Sequence, residues 1–262
     1  MKKELPRNFT AGLSRPYISV RRNGAPSYGG SQNWFGGMIR ICGCAVIGAA
    51  DLLWYLKGTK DPTPEEYDSH VLKTRKSFFL IPFRGLPGIV TPPLLGLSLQ
   101  KNGLPYTARW GAGRAGIRRA AAAMIRNDIP VPVCIGPCLH QLGAAPLYRG
   151  LRLYEKRAGQ DQNKGNGQAD VRGQFQDKGN EQERAKDQPS YVWVKTVRNH
   201  LVIMTGIRGR WARVSSWGQE YYIDLKEFEE LSRGDAFGAF TNIIRIIPRG
   251  SSRINYYLLR SS

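Results

Sequence analysis

The hydrophobic pattern of the chain changes from helical to strand-like spacing at about residue 130, and this order constrains the fold more than any other feature. Before that point, apolar residues recur at helical intervals in the segments 44–55, 64–78, 92–100 and 114–126. After it, short apolar runs alternate with turn residues at 130–135, 191–197, 200–207, 211–215, 220–223 and 239–247, with a short helix at 225–231. Helices followed by an antiparallel sheet predict an α+β fold.

One segment interrupts the second half of the chain. The stretch 157–190 is rich in Gln, Gly, Asp and Lys, and Val171 and Phe175 are its only large apolar residues. It cannot bury enough apolar surface to offset the entropy lost on ordering. We therefore expect a flexible insertion within a single domain that spans 1–262. The insertion carries as many basic as acidic residues, so the net charge of +19 resides on the remainder.

This positive charge favours anionic partners without defining an activity. Two basic groups would attract nucleic acid non-specifically, although no nucleic-acid-binding signature accompanies them. They comprise Lys101, Arg109, Arg114, Arg118, Arg119 and Arg126, and an N-terminal arm with Arg7, Arg15, Arg21 and Arg22. The longest apolar stretch, 41–50, is too short to cross a bilayer, and no secretory signal is visible. We therefore expect no membrane span and a cytoplasmic protein.

The cysteines carry a more specific chemical signal than the charge. Of the four, Cys44 lies where a Gly-rich stretch gives way to the first helix, and Gly43 permits a tight approach into that helix. The positive end of a helix dipole lowers the pKa of a thiol, and only the thiolate is a good nucleophile. This position makes Cys44 the candidate nucleophile.

A base for this thiol must come from elsewhere in the chain, which has three histidines. His70 falls on a polar helix face and His140 in a loop, whereas His200 begins a strand that would hold its imidazole rigidly. A tight turn joins this strand to the next, so the start of the first lies beside the end of the second. We therefore expect Ser215 or Ser216 close to His200.

Four motifs then follow one another along the chain. They are Gln32, Gly43-Cys44 opening a helix, Asn199-His200 at a strand start, and Ser215-Ser216-Trp217-Gly218. In this order they resemble the papain-like cysteine peptidases, and more closely the bacterial branch related to bacteriocin-processing (double-glycine) peptidases. The resemblance implies a papain-like α+β fold, with the site in a cleft between a helical half and a sheet half.

The resemblance also implies a role for each residue. In that family a Gln donates to the oxyanion, a Cys attacks, a His acts as base, and an Asn or Asp orients the His. Gln32 would thus be the oxyanion donor, Cys44 the nucleophile and His200 the base, with Ser215 in the orienter position. The implied activity is hydrolysis of a peptide or amide bond in a peptide or protein substrate, without a cofactor or metal.

Two further functions remain open beside non-specific nucleic-acid binding. The first is a zinc site, because Cys42-x-Cys44 and Cys134-x3-Cys138-x-His140 supply thiolate and imidazole ligands. Structural zinc sites more often use a C-x2–4-C spacing than C-x-C. The second is a papain-like binding module without catalysis, because Ser215 stands where the family has Asn.

Overall fold

The computed structural model describes residues 9–78, 91–111, 116–136, 150–157, 190–234 and 241–249. Its helices are α1 (Gly37–Cys42), α2 (Cys44–Lys57), α3 (Pro64–Arg75), α4 (Pro92–Lys101), α5 (Ile117–Arg126) and α6 (Leu225–Gly234). Its strands are β1 (Thr10–Gly12), β2 (Arg21–Arg22), β3 (Ala25–Pro26), β4 (Tyr106–Trp110), β5 (Val131–Ile135), β6 (Leu151–Lys156), β7 (Tyr191–Val197), β8 (His200–Arg208), β9 (Trp211–Ser216), β10 (Gln219–Asp224) and β11 (Asn242–Pro248). The expected α+β class is confirmed.

One large antiparallel sheet organises these elements. Its strand order is β4-β11-β5-β8-β9-β10-β6-β7, and β1 also pairs with β8, while β2 and β3 form a separate hairpin. Strand β8 lies inside the sheet and is buried at every residue except the last, Arg208. Helix α2 packs directly on β8, and a Cβ atom at Gly48 would overlap the side chain of Leu201. This close approach sets the first residue of α2 near the first residue of β8.

Most of the predicted elements are confirmed, with shifted ends. Thr63 caps α3 as a capping box, in which its hydroxyl accepts from the Glu66 N–H and the Glu66 carboxylate accepts from the Thr63 N–H. This helix ends at Arg75, earlier than expected. Strands β1, β2, β3, β4 and β6 were not predicted, and β1 and β4 bring residues of the large sheet into the first half of the chain. The strict order of helices first and sheet second is therefore wrong in detail.

Residues 158–189 of the predicted insertion lie outside the described residues. At its two ends, the Arg157 N–H donates to the Ser190 carbonyl oxygen at 2.8 Å and continues the β6–β7 ladder. The sheet therefore closes across the insertion, while the single domain over 1–262 stays a prediction. Of the helices in the described ranges, none combines the length and apolar character needed to cross a bilayer.

Candidate functional site

A small cavity lies where the N-terminus of α2 faces β8 and the end of β9. Its polar lining residues are Gln32, Cys44, Asp51, His200, Ser215 and Ser216. All of the site residues predicted from the sequence thus line one cavity, although they are far apart along the chain. Its volume is about 20 Å³, which is room for roughly one water molecule.

Cys44 is the first residue of α2 and is only 7% exposed. Burial raises the pKa of its thiol to about 11, and the nearby Cys42 raises it further. The backbone N–H groups of Leu201, Ala45 and Cys44 itself lower the pKa, but burial outweighs them. The helix start therefore acts on this thiol as expected, yet the resting group is the neutral thiol at pH 7.

His200 begins β8 and is 8% exposed. Its ring stacks on the indole of Trp217, with centroids 4.2 Å apart and an interplanar angle of 11°. The Lys195 ammonium lies 4.2 Å from the centroid of the same indole. Burial, assisted by the charge of Lys195, lowers the pKa of His200 to about 3. The imidazole is therefore neutral at pH 7 and can accept a proton.

The hydroxyl that contacts His200 belongs to Ser216, whose Oγ is 2.7 Å from His200 Nε2. The Ser215 hydroxyl instead donates to the carbonyl oxygen of Tyr28 at 2.7 Å. The register explains the difference, because Ser215 pairs with Ile203 and shares the strand face of that residue. The next side chain, Ser216, points to the opposite face, which is that of His200. Of the two serines expected near His200, Ser216 is therefore the one whose hydroxyl contacts it, whereas Ser215 lines the same cavity and bonds elsewhere.

Gln32 opens a short 3-10 helix, Gln32–Trp34, whose start is capped by the Ser31 hydroxyl. Its Nε2 donates to the Arg40 carbonyl oxygen at 2.8 Å. A carboxamide has two N–H donors, so this contact leaves the second one for another acceptor. The Gln32 Oε1 is buried without a hydrogen-bond partner in the described part of the chain. Helix α1 fills the segment between Gln32 and Cys44, and both residues still reach one cavity.

Sequence reasoning missed Asp51, which is 1% exposed and lines the same cavity. Its carboxylate accepts from the Tyr67 hydroxyl at 2.5 Å and from the Gly30 N–H at 3.0 Å. Burial raises its pKa to about 6. One sequence signal could have revealed it: an acidic residue within an apolar helix, about two turns after Cys44 and therefore on the same face.

Replacing Gly30 by alanine is expected to destabilise the protein by about 1–3 kcal/mol, the usual range for overpacking. A Cβ atom at Gly30 would overlap the hydroxyl of Tyr67, which is fully buried and bonded to Asp51. Urea unfolding measures the loss. Gly36→Ala is the matched control, because a Cβ atom there meets nothing within 4 Å. Equal losses in the two variants would contradict the tight fit described here.

The alternative functions considered from the sequence, a zinc site and nucleic-acid binding, rest partly on residues outside the described ranges. The zinc pattern needs Cys138 and His140, which are not described, and the described residues contain no group of three His, Cys, Asp or Glu side chains that could hold a metal. In the basic N-terminal arm, Arg15 pairs with Asp128 at 3.3 Å and Arg22 pairs with Asp68. These two arginines therefore serve internal contacts as well as the positive surface.

Comparisons with known proteins give no assignment: the chain matches no family model, and neither the curated proteins nor the solved structures give a significant match. The site must therefore be interpreted from its own geometry.

Proposed function

We propose that this chain is a thiol-dependent hydrolase with a papain-like fold that cleaves a peptide or amide bond. The observation that carries the proposal is the shared cavity of Cys44, at the start of α2, and His200, at the start of β8. A helix start supplies backbone N–H groups to the sulfur, and a strand start fixes the imidazole. The order of the motifs along the chain, which resembles that of the papain-like peptidases, supports the same function.

The protonation states define how the reaction would begin. Thiol and imidazole are both neutral at rest. His200 takes the Cys44 proton as the sulfur attacks the carbonyl carbon, and the negative charge that develops beside the imidazole makes it a stronger base than it is at rest. The carbonyl oxygen becomes an oxyanion and accepts from the free N–H of Gln32 and from the Cys44 N–H. His200 then returns the proton to the leaving amine as the C–N bond breaks. Water, deprotonated by His200, hydrolyses the thioester and releases the free thiol.

Acetylation with p-nitrophenyl acetate tests this proposal without knowledge of the natural substrate. We expect a burst of about one p-nitrophenolate per chain, with the acetyl group located on Cys44 by mass spectrometry. Cys42 and Cys134 are controls within the same chain, and the thiol of Cys42 is more exposed than that of Cys44. Acetylation in the order of exposure, with Cys42 first, would exclude a catalytic site at Cys44.

A papain-like binding module without catalysis is the second candidate. The observation that favours it is the burial of Cys44, which raises the thiol pKa to about 11 and leaves little thiolate at pH 7. In such a module Cys44 would pack as a small apolar side chain and the cavity would have no chemical task. The absence of any acetylation burst, in a protein that folds cooperatively, would select this function.

A further inference from the structure

Asp51 lies in the same cavity as Cys44, yet the proposed reaction gives it no task. A carboxyl group that is 99% buried is rare in proteins unless it is paired, because its charged form loses hydration. Within the described residues its hydrogen-bond donors are all uncharged: the hydroxyls of Tyr67 and Tyr17 and the N–H of Gly30. A cation would have been a stronger partner, so the choice of donors calls for an explanation.

The donors show which parts of the molecule this carboxylate joins. Gly30 belongs to the segment that leads directly into Gln32, and its N–H lies 3.0 Å from Asp51 Oδ2 and 3.2 Å from Oδ1. Tyr67 comes from α3, and its hydroxyl fills the space beside Gly30 where a side chain would otherwise stand. Asp51 itself is on α2, the helix that begins at Cys44. The carboxylate therefore links the Gln32 segment to the nucleophile's helix.

The other contacts of this segment lead away from α2, either to the sheet or to the N-terminal segment, where the Gly29 N–H donates to the Ile18 carbonyl oxygen at 2.8 Å. The Tyr28 N–H donates to the Gly218 carbonyl oxygen at 2.8 Å, and the Tyr28 carbonyl oxygen accepts from Ser215 at 2.7 Å. Both partners lie at or just after the end of β9. Of the hydrogen bonds that residues 28–30 make within the described ranges, the contact with Asp51 is thus the one that fixes the distance to α2. That distance decides whether the amide of Gln32 meets an oxyanion formed at Cys44.

We propose that Asp51 is a positioning residue. Its carboxylate holds Gly30, and through it Gln32, at the distance from Cys44 that oxyanion binding requires. The inference rests on the proposed thiol hydrolase function. It uses the ionised carboxylate, which accepts from all three groups at once. A protonated Asp51 carries a hydrogen of its own and would donate it to a tyrosine hydroxyl, which can also accept, so that hydroxyl would no longer donate to the carboxyl group.

The surroundings of Asp51 indicate that its protonation, and with it the loss of a hydrogen bond, occurs at mildly acidic pH. The titratable groups that face it are Tyr17 and Tyr67, with Cys44 and His200 across the cavity. The pKa values of Tyr17 and Tyr67 are raised well above 10 by burial, so both remain donors. Burial raises the pKa of Asp51 to about 6, which puts its protonation within an accessible range.

Two reagents separate oxyanion binding from thiol reactivity. Iodoacetamide alkylates Cys44 by displacing iodide and forms no oxyanion, whereas p-nitrophenyl acetate acetylates it through a tetrahedral oxyanion. In Asp51→Asn we expect acetylation to slow about 10-fold or more, which is part of the effect of losing a whole oxyanion donor, while alkylation stays within about 2-fold. Gln32→Ala should show the same selective loss. The double variant should show little further loss, because both changes act on one contact.

The matched control is Asp68→Asn. It removes a carboxylate of α3 that pairs with Arg22 and does not line the cavity. Its ratio of acetylation to alkylation should equal that of wild type. In wild type this ratio should fall as the pH drops below about 6, whereas in Asp51→Asn it should not change with pH. Should Asp51→Asn fail to fold, Tyr67→Phe removes one donor, keeps the carboxylate, and should lower the ratio by a smaller factor.

The outcomes distinguish the two proposals. Equal losses of alkylation and acetylation in Asp51→Asn would make Asp51 a structural residue only and overturn the inference, as would an unchanged ratio. Either result leaves the thiol hydrolase intact, provided that wild type acetylates Cys44. If wild type shows no acetylation at Cys44, the proposed function fails, and the positioning role of Asp51 fails with it.

Discussion

Replacing His200 by alanine is expected to slow the acetylation of Cys44 at pH 7 by a factor of about 10² to 10⁴, the usual contribution of a general base. The reason lies in the resting protonation states. Burial raises the pKa of Cys44 to about 11, so little thiolate exists at pH 7 unless a base removes the proton during attack. His200 is neutral at this pH and lines the same cavity. The rate of the p-nitrophenolate burst measures the effect.

The pH dependence gives this prediction a second test. As the pH rises towards 11, hydroxide supplies the thiolate in both proteins, so the deficit of His200→Ala should shrink. His70→Ala is the control, because His70 bonds to the Ala50 carbonyl oxygen and does not line the cavity. A deficit of the same size at every pH would indicate that His200 supports the fold around Trp217 and does not act as a base.

The positions that the sequence predicted correctly are those that depend on local structure. A Gly-Cys pair before an apolar helical repeat places Cys44 at a helix start, and a continuous apolar run after His200 places it at a strand start. Both features can be deduced from a few neighbouring residues. Their meeting in one cavity follows from the packing of α2 on β8, which needs the glycine at position 48.

The remaining features depend on contacts that the local sequence does not encode. Whether Ser215 or Ser216 reaches His200 depends on the β8–β9 register, and a shift of one residue exchanges the two faces. The task of Asp51 depends on Gly30, which precedes it, and on Tyr67, which follows it on another helix. The thiol pKa depends on burial more than on the helix start, and burial is a property of the whole fold.

Two buried groups of the site are expected to change the stability of the protein with pH in opposite directions. Burial lowers the pKa of His200 from 6.5 to about 3, so the unfolded chain binds a proton that the folded protein does not. Stability contributed by His200 is therefore complete above pH 6.5 and is lost as the pH falls towards 3, by up to about 5 kcal/mol. At pH 4.5, roughly 2.5 kcal/mol of it should be gone.

Asp51 has the opposite sign. Burial raises its pKa from 3.8 to about 6, so between these values the folded protein binds the proton more tightly than the unfolded chain does. Its ionised form costs up to about 3 kcal/mol above pH 6, and this cost is relieved as the pH falls towards 3.8. Between about pH 6 and pH 4 the two contributions to the free energy of unfolding change with pH in opposite directions and nearly cancel. The stability of wild type therefore shows little of either titration.

Single variants should reveal them. In His200→Gln the loss of roughly 2.5 kcal/mol that His200 causes is absent, so we expect the stability of this variant to rise by about 2.5 kcal/mol relative to wild type on going from pH 7 to pH 4.5. In Asp51→Asn we expect a relative loss of about 2 kcal/mol over the same interval. Urea unfolding at the two pH values measures both changes, with Asp68→Asn as the control for a half-buried carboxylate outside the cavity. Variants that both follow the wild-type pH dependence would mean that the pKa values of His200 and Asp51 do not change on folding, which would contradict the burial of both groups described here.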